Sequence, residues 1–265
     1  MFIDATVAAG QIGHLISGDN VRVEAAKTGV CEIFAKADGL VGVNGDLVGL
    51  VNHLNENLSV ACVVPFKRVS KGQLIARVQI VSDEVEASVL VQISAACKDH
   101  KAFQLNAFSP KRVGLVVTTK SNTVEASVTS IQKLLTNKLE ALGSEVGRSS
   151  VVDHSSNAIS VALNAFIPHH GLALVFGATD IENRDDVVPK AVMQVNGVID
   201  HFGMPVEPGN RLLLARIGDM PLIGVPMCVR DKTYSGFDIV LERLLSGVGV
   251  CGDDIMAMGV GGLVG

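Results

Sequence analysis

Two runs of the chain, Val113–Thr118 and Leu172–Phe176, carry apolar side chains at nearly every position. A strand with one face in water alternates apolar and polar residues, so an uninterrupted run of this kind belongs to a strand buried on both faces. Between the two runs lies an amphipathic segment, Val124–Leu142, which ends at Gly143 as a helix C-cap. A second strand-like run, Glu145–Val152, follows. The cluster Asp153-His154-Ser155-Ser156 then opens a helix running through about Ile167. Residues 186–196 predict one more helix. Repeated βα units of this kind predict a three-layer α/β/α, doubly wound, mostly parallel sheet over residues 111–265. Right-handed crossovers put the loops that follow the strands on one edge, where open α/β sheets bind ligands.

The first 110 residues read differently. Residues 1–17 predict a helix with Asp4 as N-cap and Gly18-Asp19-Asn20 as its stop. Short strands are expected at Val21–Glu24, Val30–Ala35, Leu40–Val43, Val60–Val64 and Leu74–Val81. Asn44-Gly45 reads as a turn, and Asp46–Asn55 as a helix with Leu47, Leu50, Val51 and Leu54 on one face. A helix over 84–97 and a strand over Ala102–Ala107 complete a smaller N-terminal α+β domain, residues 1–110, whose role the sequence does not indicate. Ser109-Pro110-Lys111 is the expected boundary.

Hydrophobic residues make up 48% and charged residues 18%, which excludes disorder. The mean hydropathy of +0.40 is explained by a sheet packed on both faces. No stretch approaches the ~18 continuous apolar residues of a membrane span, and Met1-Phe2-Ile3-Asp4 lacks the start of a signal peptide. With 22 Lys+Arg against 27 Asp+Glu the net charge is −5, which argues against a broad nucleic-acid surface. A local anion pocket built from backbone N–H groups remains compatible with that charge. The five cysteines are dispersed and form no C-x-x-C pair. The expectation is reduced thiols in a cytoplasmic protein, not a zinc site or disulfide framework.

Three places could carry chemistry. The first is Phe176-Gly177-Ala178-Thr179-Asp180, running on to Arg184-Asp185-Asp186. Small residues after a buried strand let a ligand approach the backbone. Carboxylates there read either as helix caps or as groups sharing Mg²⁺ with phosphate oxygens. The second is Asp153 with His154 at the end of the neighbouring predicted strand. Asp153 reads as an N-cap or as a second carboxylate at the same edge, and His154 by itself is a weak signal. The third is the Gly- and Pro-rich stretch 203–226, with Leu212–Ile217 and Leu222–Val225 flanking Gly218-Asp219 as a hairpin. A phosphate-binding loop of the G-x-x-x-x-G-K-[ST] type and a G-x-S-x-G nucleophile elbow are both absent.

In their order, these segments resemble the molybdopterin-binding domain of molybdenum-cofactor biosynthesis proteins, over residues 112–265. The family's first strand is similar to Val113-Gly114-Leu115-Val116-Val117-Thr118-Thr119, and Asp153 falls at its acidic helix opening. Its Thr-Gly-Gly-Thr loop corresponds to Phe176-Gly177-Ala178-Thr179. Its Arg-Asp-Val-Thr-Pro stretch corresponds to Arg184–Pro189, with Asp186 in the place of the key aspartate. Stretches such as Phe202-Gly203-Met204-Pro205-Val206, Gly236-Phe237-Asp238 and Leu241-Glu242-Arg243 are closer to a subgroup often fused to a nucleotidyltransferase-like domain.

The resemblance implies molybdopterin or its nucleotide as ligand, held by Gly177, Ala178, Thr179, Asp180, Arg184, Gly209, Gly224, Pro226 and Cys228. It implies Mg²⁺ at Asp186 and Asp153, which would be the catalytic pair if the protein transfers a nucleotidyl group or inserts molybdate. A carrier that passes cofactor to a separate cytidylyltransferase or molybdoenzyme is the alternative, as is a structural interaction protein. Homo-oligomers are also implied. The chain departs from the family pattern at Ala178, at Phe176, and at Pro226-Met227, where Pro-Gly is usual.

Overall fold

The computed structural model describes residues 1–263. The chain divides into two compact units, Met1–Phe108 and Ser109–Gly265. The first unit runs β1 (Phe2–Asp4), α1 (Ala5–Ile16), β2 (Val21–Val23), β3 (Val30–Ala35), β4 (Gly39–Val43), α2 (Gly45–Leu54), β5 (Leu58–Cys62), β6 (Arg68–Val69), β7 (Leu74–Ile80), β8 (Glu84–Glu86), α3 (Ala87–Ala96) and β9 (Phe103–Ala107). Its strands form three antiparallel sheets: β1-β8, β2-β3-β7-β5 and β6-β4-β9. α1 lays Ala8, Ile12 and Ile16 on β3 and β7, where Ile33 and Val78 are sealed from water. Asp4 caps α1 as expected, accepting from the N–H groups of Thr6 and Val7.

Three local expectations change. Residues 84–86 form strand β8, paired with β1 through Ile3↔Val85, so the helix starts only at Ala87. The partner strand lies more than 80 positions away in sequence, and no local pattern announces it. Asn44 is a helix cap and not merely a turn, because its Oδ1 accepts from Leu47 N at 3.1 Å. The inner face of α2 is set by Leu47, Val48, Val51 and Leu54, which leaves Leu50 exposed.

The second unit runs β10 (Arg112–Thr119), α4 (Glu125–Glu140), β11 (Glu145–Asp153), α5 (Ser156–Asn164), β12 (Leu172–Phe176), α6 (Val187–Gln194), β13 (Val198–Phe202), β14 (Leu213–Ile217), β15 (Met220–Val225), α7 (Gly236–Leu245) and α8 (Gly252–Met256). A short 3₁₀ turn, Met227–Asp231, follows β15. The six strands lie in the order β11-β10-β12-β15-β14-β13. The first three pairs are parallel and the last two antiparallel, so the sheet is mixed. The antiparallel part contains the expected hairpin and the edge strand β13, which is too polar at Asp200 and His201 to stand out in sequence.

β10 and β12 are buried as their composition requires. Val116, Ala173 and Val175 share one core with Ile159 and Leu163 of α5 and Val188 and Val192 of α6. Side chains alternate along a strand, so Leu115, Val117 and Leu174 point the other way, and they are fully buried too. α4 packs on β10 and β11, burying Ile131, Leu135 and Leu139. Gly114 is required by this packing, because a Cβ there would enter the ring of Phe166. Among the described residues, no helix is long and apolar enough to cross a membrane.

α4 and α7 are joined by one ion pair with little exposure. Lys138 Nζ lies 2.6 Å from Asp238 Oδ1, with side-chain exposures of 18% and 9%. The other oxygen of Asp238 accepts from the N–H and the hydroxyl of Ser235, which starts α7. Replacing Lys138 with Met should cost about 3 kcal/mol, because removing one partner strands a nearly buried charge. Urea unfolding of the two proteins side by side measures this, with Asp238→Asn in the Met background expected to recover part of the loss.

Candidate functional site

The three parallel pairs bring the carboxyl ends of β11, β10, β12 and β15 to one edge of the sheet. The last residues of these strands and the loops after them form the candidate site. The loop after β12 begins Gly177-Ala178-Thr179. A Cβ on Gly177 would lie 2.5 Å from the carbonyl oxygen of Thr179, so the turn is too tight for a side chain there.

A polar clamp fixes that loop. Thr118, 2% exposed near the end of β10, accepts at Oγ1 from Ala178 N at 2.8 Å. The same hydroxyl lies 2.8 Å from His154 Nδ1, and His154 Nε2 lies 3.2 Å from Thr179 Oγ1. His154 is itself anchored by its own N–H, which donates to Thr119 O at 2.8 Å. Three strand ends are thus tied together by one imidazole. Burial is the main influence holding the His154 pKa below 6.5; Lys120 pushes the same way and Asp186 opposes them. A neutral ring suits the geometry: the Thr118 hydroxyl donates to Nδ1, and the Nε2 hydrogen is directed at Thr179.

The carboxylates have mostly structural engagements. Asp186 is the N-cap of α6: Oδ1 accepts from Val187 N at 2.6 Å, and Oδ2 accepts from Glu182 N at 3.1 Å, closing the 182–186 loop. Asp180 Oδ1 accepts from Met227 N at 2.8 Å and so joins the loop after β12 to the turn after β15. Asp153 ends β11 and does not cap α5; Ser155 does, accepting from Ala158 N at 3.2 Å. The Asp153 carboxylate is exposed and accepts no hydrogen bond among the described residues. Arg184 is exposed and makes no ion pair among the described residues. No three His, Cys, Asp or Glu side chains gather as a metal-binding set among the described residues.

The remaining expected positions separate. Gly224 lies inside β15, where a Cβ would meet Ile181 Cδ1 at 2.6 Å, so interior packing demands that glycine. Gly209 has φ of +128° and sits against the backbone of Gly236 at the start of α7. Pro226 is buried at the end of β15. Cys228 is half-buried, and its thiol is pushed up to about 11 by burial and by Asp180, Glu207, Asp231 and Asp238. A thiol in that setting stays protonated and is a poor nucleophile. That carboxylate-rich neighbourhood is also unfavourable for a phosphate.

Positive charge lies elsewhere on the same edge. Arg230 and Lys232, in and just after the 3₁₀ turn, line a cavity of about 280 Å³ with Ser127 and Ser130 from the first turns of α4. The Arg230 guanidinium carbon stands 5.0 Å over the ring of Phe176, the last residue of β12. Two cations, two hydroxyls and a helix N-terminus can hold an anionic group. None of these four residues stands out in sequence, because their elements meet only in the fold. Thr118 is hidden for the same reason, and His154 shows in sequence only as a weak signal beside Asp153.

Thr118→Val removes the acceptor of Ala178 N and the partner of His154 at nearly full burial. A loss of about 1–3 kcal/mol is expected in urea unfolding. His154 should titrate below 6.5 by NMR, with the neutral ring favoured in the folded chain. The unfolded chain then binds the extra proton first, so this contribution to stability is present above pH 6.5 and lost as pH falls through the folded-state pKa. Unfolding midpoints of the wild type and His154→Gln across that window check the sign.

No protein-family profile matches the chain, and no curated protein matches it. Among solved structures, a molybdopterin biosynthesis MoeA protein from Pyrococcus horikosii aligns at 12% identity over 82% of this chain and 69% of its own, with a TM-score of 0.38. The molybdopterin biosynthesis enzyme MoaB from Thermus thermophilus aligns at 17% identity over 52% of this chain and 97% of its own, with a TM-score of 0.36. A molybdopterin biosynthesis protein from Mycobacterium abscessus aligns at 18% identity over 53% and 99%, with a TM-score of 0.35. At these values the likeness is distant.

Proposed function

We propose that the second unit binds the phosphate end of molybdopterin or its nucleotide and serves molybdenum-cofactor assembly as a carrier. The observation that supports this reading best is the cavity at the carboxyl edge of the sheet, where Arg230, Lys232, Ser127 and Ser130 face one space beside the last residue of β12. Its volume of about 280 Å³ is at the small end for ligand pockets, and suits a phosphate with part of the attached ring system. The tight Gly177–Thr179 loop, which follows Phe176 directly in the chain, is tied down by Thr118 and His154.

The carrier reading is favoured over nucleotidyl transfer by the carboxylates. Nucleotidyl transfer relies on positioned phosphates and on metal held by free carboxylate oxygens. Both oxygens of Asp186 already accept backbone N–H groups, and Asp180 holds Met227. Asp153 keeps a free carboxylate, but among the described residues no three His, Cys, Asp or Glu side chains gather as a metal-binding set, so a Mg²⁺ bound here would draw its ligands mainly from phosphate and water. The pterin would pass to a separate nucleotidyltransferase or molybdoenzyme.

Equilibrium binding of molybdopterin, with EDTA and with Mg²⁺, tests the proposal. Saturable binding that persists in EDTA is expected, and pyrophosphate release from ATP is not. Arg230→Ala should weaken binding by about tenfold, since a charge-assisted contact to phosphate is lost. Absence of binding, or an affinity indifferent to both Arg230→Ala and Lys232→Ala, defeats the reading. Strict Mg²⁺ dependence with ATP turnover would restore the enzymatic alternative.

A further inference from the structure

Helices α1 and α3 of the first unit are almost without charge. They have 12 and 10 residues and contain a single titratable side chain between them, His14. A helix with one face in water ordinarily carries charge on that face. Here Val7 and Gln11 stand one turn apart on α1, and Val91 and Ala95 one turn apart on α3. Val7 is 52% exposed and Val91 68%. A groove of about 780 Å³ runs between the two helices, with the more buried Leu15 and Leu90 beneath. An apolar face of this kind marks an interaction surface. Most of the side chains along the groove are exposed, so it is an open trough. Ligand sites for small molecules bury most of the molecule they hold, and a trough does not. A rod laid along it would cover it from end to end.

The trough has a direction. Both helices start from the β1-β8 ladder, where Ala5 N donates to Asp83 O and Ala87 N donates to Met1 O. Both finish together, where Ala102 N donates to Ile16 O and Lys101 Nζ donates to Leu15 O. They therefore run parallel, and their carbonyl ends lie side by side. At the starting end stand Asp4, Asp83, Glu84 and Glu86, all exposed, with no Lys or Arg on β1 or β8. At the finishing end His14, Lys98 and Lys101 line the groove, with Asp99 and His100 beside them. No carboxylate lines the groove itself.

We propose that this trough docks an amphipathic α-helix of another protein, lying antiparallel to α1 and α3. The chemistry of that helix follows from the trough. Its first turn is acidic and meets Lys98 and Lys101; its last turn is basic and meets Glu84 and Glu86. Aliphatic residues at i, i+3, i+4 and i+7 fill the uncharged middle against Val91 and Ala95, as in other helix-in-groove complexes. The 12 residues of α1 span about 18 Å, so a partner helix of about 12–15 residues covers the face. The antiparallel direction is set twice. It pairs the charges, and it brings the positive N-terminal end of the partner to the negative C-terminal ends of α1 and α3. A face that was only apolar would not specify its occupant or its direction. The inference does not depend on what the second unit binds.

Fluorescence anisotropy with the full chain and two synthetic helical peptides of about 15 residues tests it. Both peptides carry the same Leu and Ala stripe. One has Glu in the first turn and Lys in the last; the other has Gln at all of those positions. The charged peptide should bind at least ~10-fold more tightly than the Gln peptide. Val91→Glu puts a charge in the middle of the trough at an exposed position and should weaken both peptides at least ~30-fold, with an unchanged circular dichroism spectrum. Lys98→Glu should weaken the charged peptide about tenfold and leave the Gln peptide within about twofold, which separates charge pairing from any change in the fold. A nitroxide on the first turn of the charged peptide should broaden the NMR amide signals of residues 98–101 and spare those of 83–86. Failure of the charged peptide to bind, equal binding of the two peptides, or binding indifferent to Val91→Glu overturns the proposal. So does broadening at 83–86 instead. A wild type that self-associates and is made monomeric by Val91→Glu gives the trough to a second copy, which overturns it too.

Discussion

Everything at the candidate site hangs on the burial of β10 and β12 on both faces. Strands without a polar face cannot sit at a surface, so helices must cover them on either side. Crossing helices make the strand pairs parallel, and parallel pairing gathers the carboxyl ends of β11, β10, β12 and β15 at one edge. The loops there are free of the sheet but fixed by it. Thr118 can hold Ala178, and His154 can bridge Thr118 and Thr179, only because these three strands end side by side.

The same edge divides its electrostatics. Around Cys228, burial first and then the carboxylates of Asp180, Glu207, Asp231 and Asp238 hold the thiol in its protonated form. On the side of α4, Arg230 and Lys232 face two serine hydroxyls. The two regions adjoin, because Asp231 stands between Arg230 and Lys232 in the chain. Met227, which stands where a glycine would be usual in the resembled family, has its backbone N–H bonded to Asp180. The turn after β15 is thus a strut between loops, and its positive charges lie one turn further along.

Several elements were legible from the chain alone. The runs of β10 and β12, the hairpin of β14 and β15, the amphipathic α4 with Gly143 at φ +74°, and the Asp4 cap of α1 all follow from local pattern and turn chemistry. The site was legible only in outline. Gly177–Thr179 and Asp186 come from the sequence, and they do lie at the sheet edge. Capping was one of the two readings the sequence offered for Asp186, and its partners are local; the role of Gly224 could not be read, because it depends on neighbours from elsewhere in the chain. Asp186 satisfies the N–H groups of Glu182 and Val187, and Gly224 makes room for Ile181 and Leu213.

The sequence by itself determined that helices and strands alternate after residue 111, that the central strands are buried, and that small residues follow one of them. These are consequences of periodicity and of the conformations each residue type allows, and both act over a few positions. Only the tertiary structure decided that β13 and β14 run antiparallel, that residues 84–86 pair with the first strand, and that His154 is the link between three strand ends. It also decided where charge gathers, with Arg230 and Lys232 beside Ser127. Hydrogen bonds and Coulomb forces act through a few ångströms of space, and residues a hundred positions apart become neighbours only when the chain has packed.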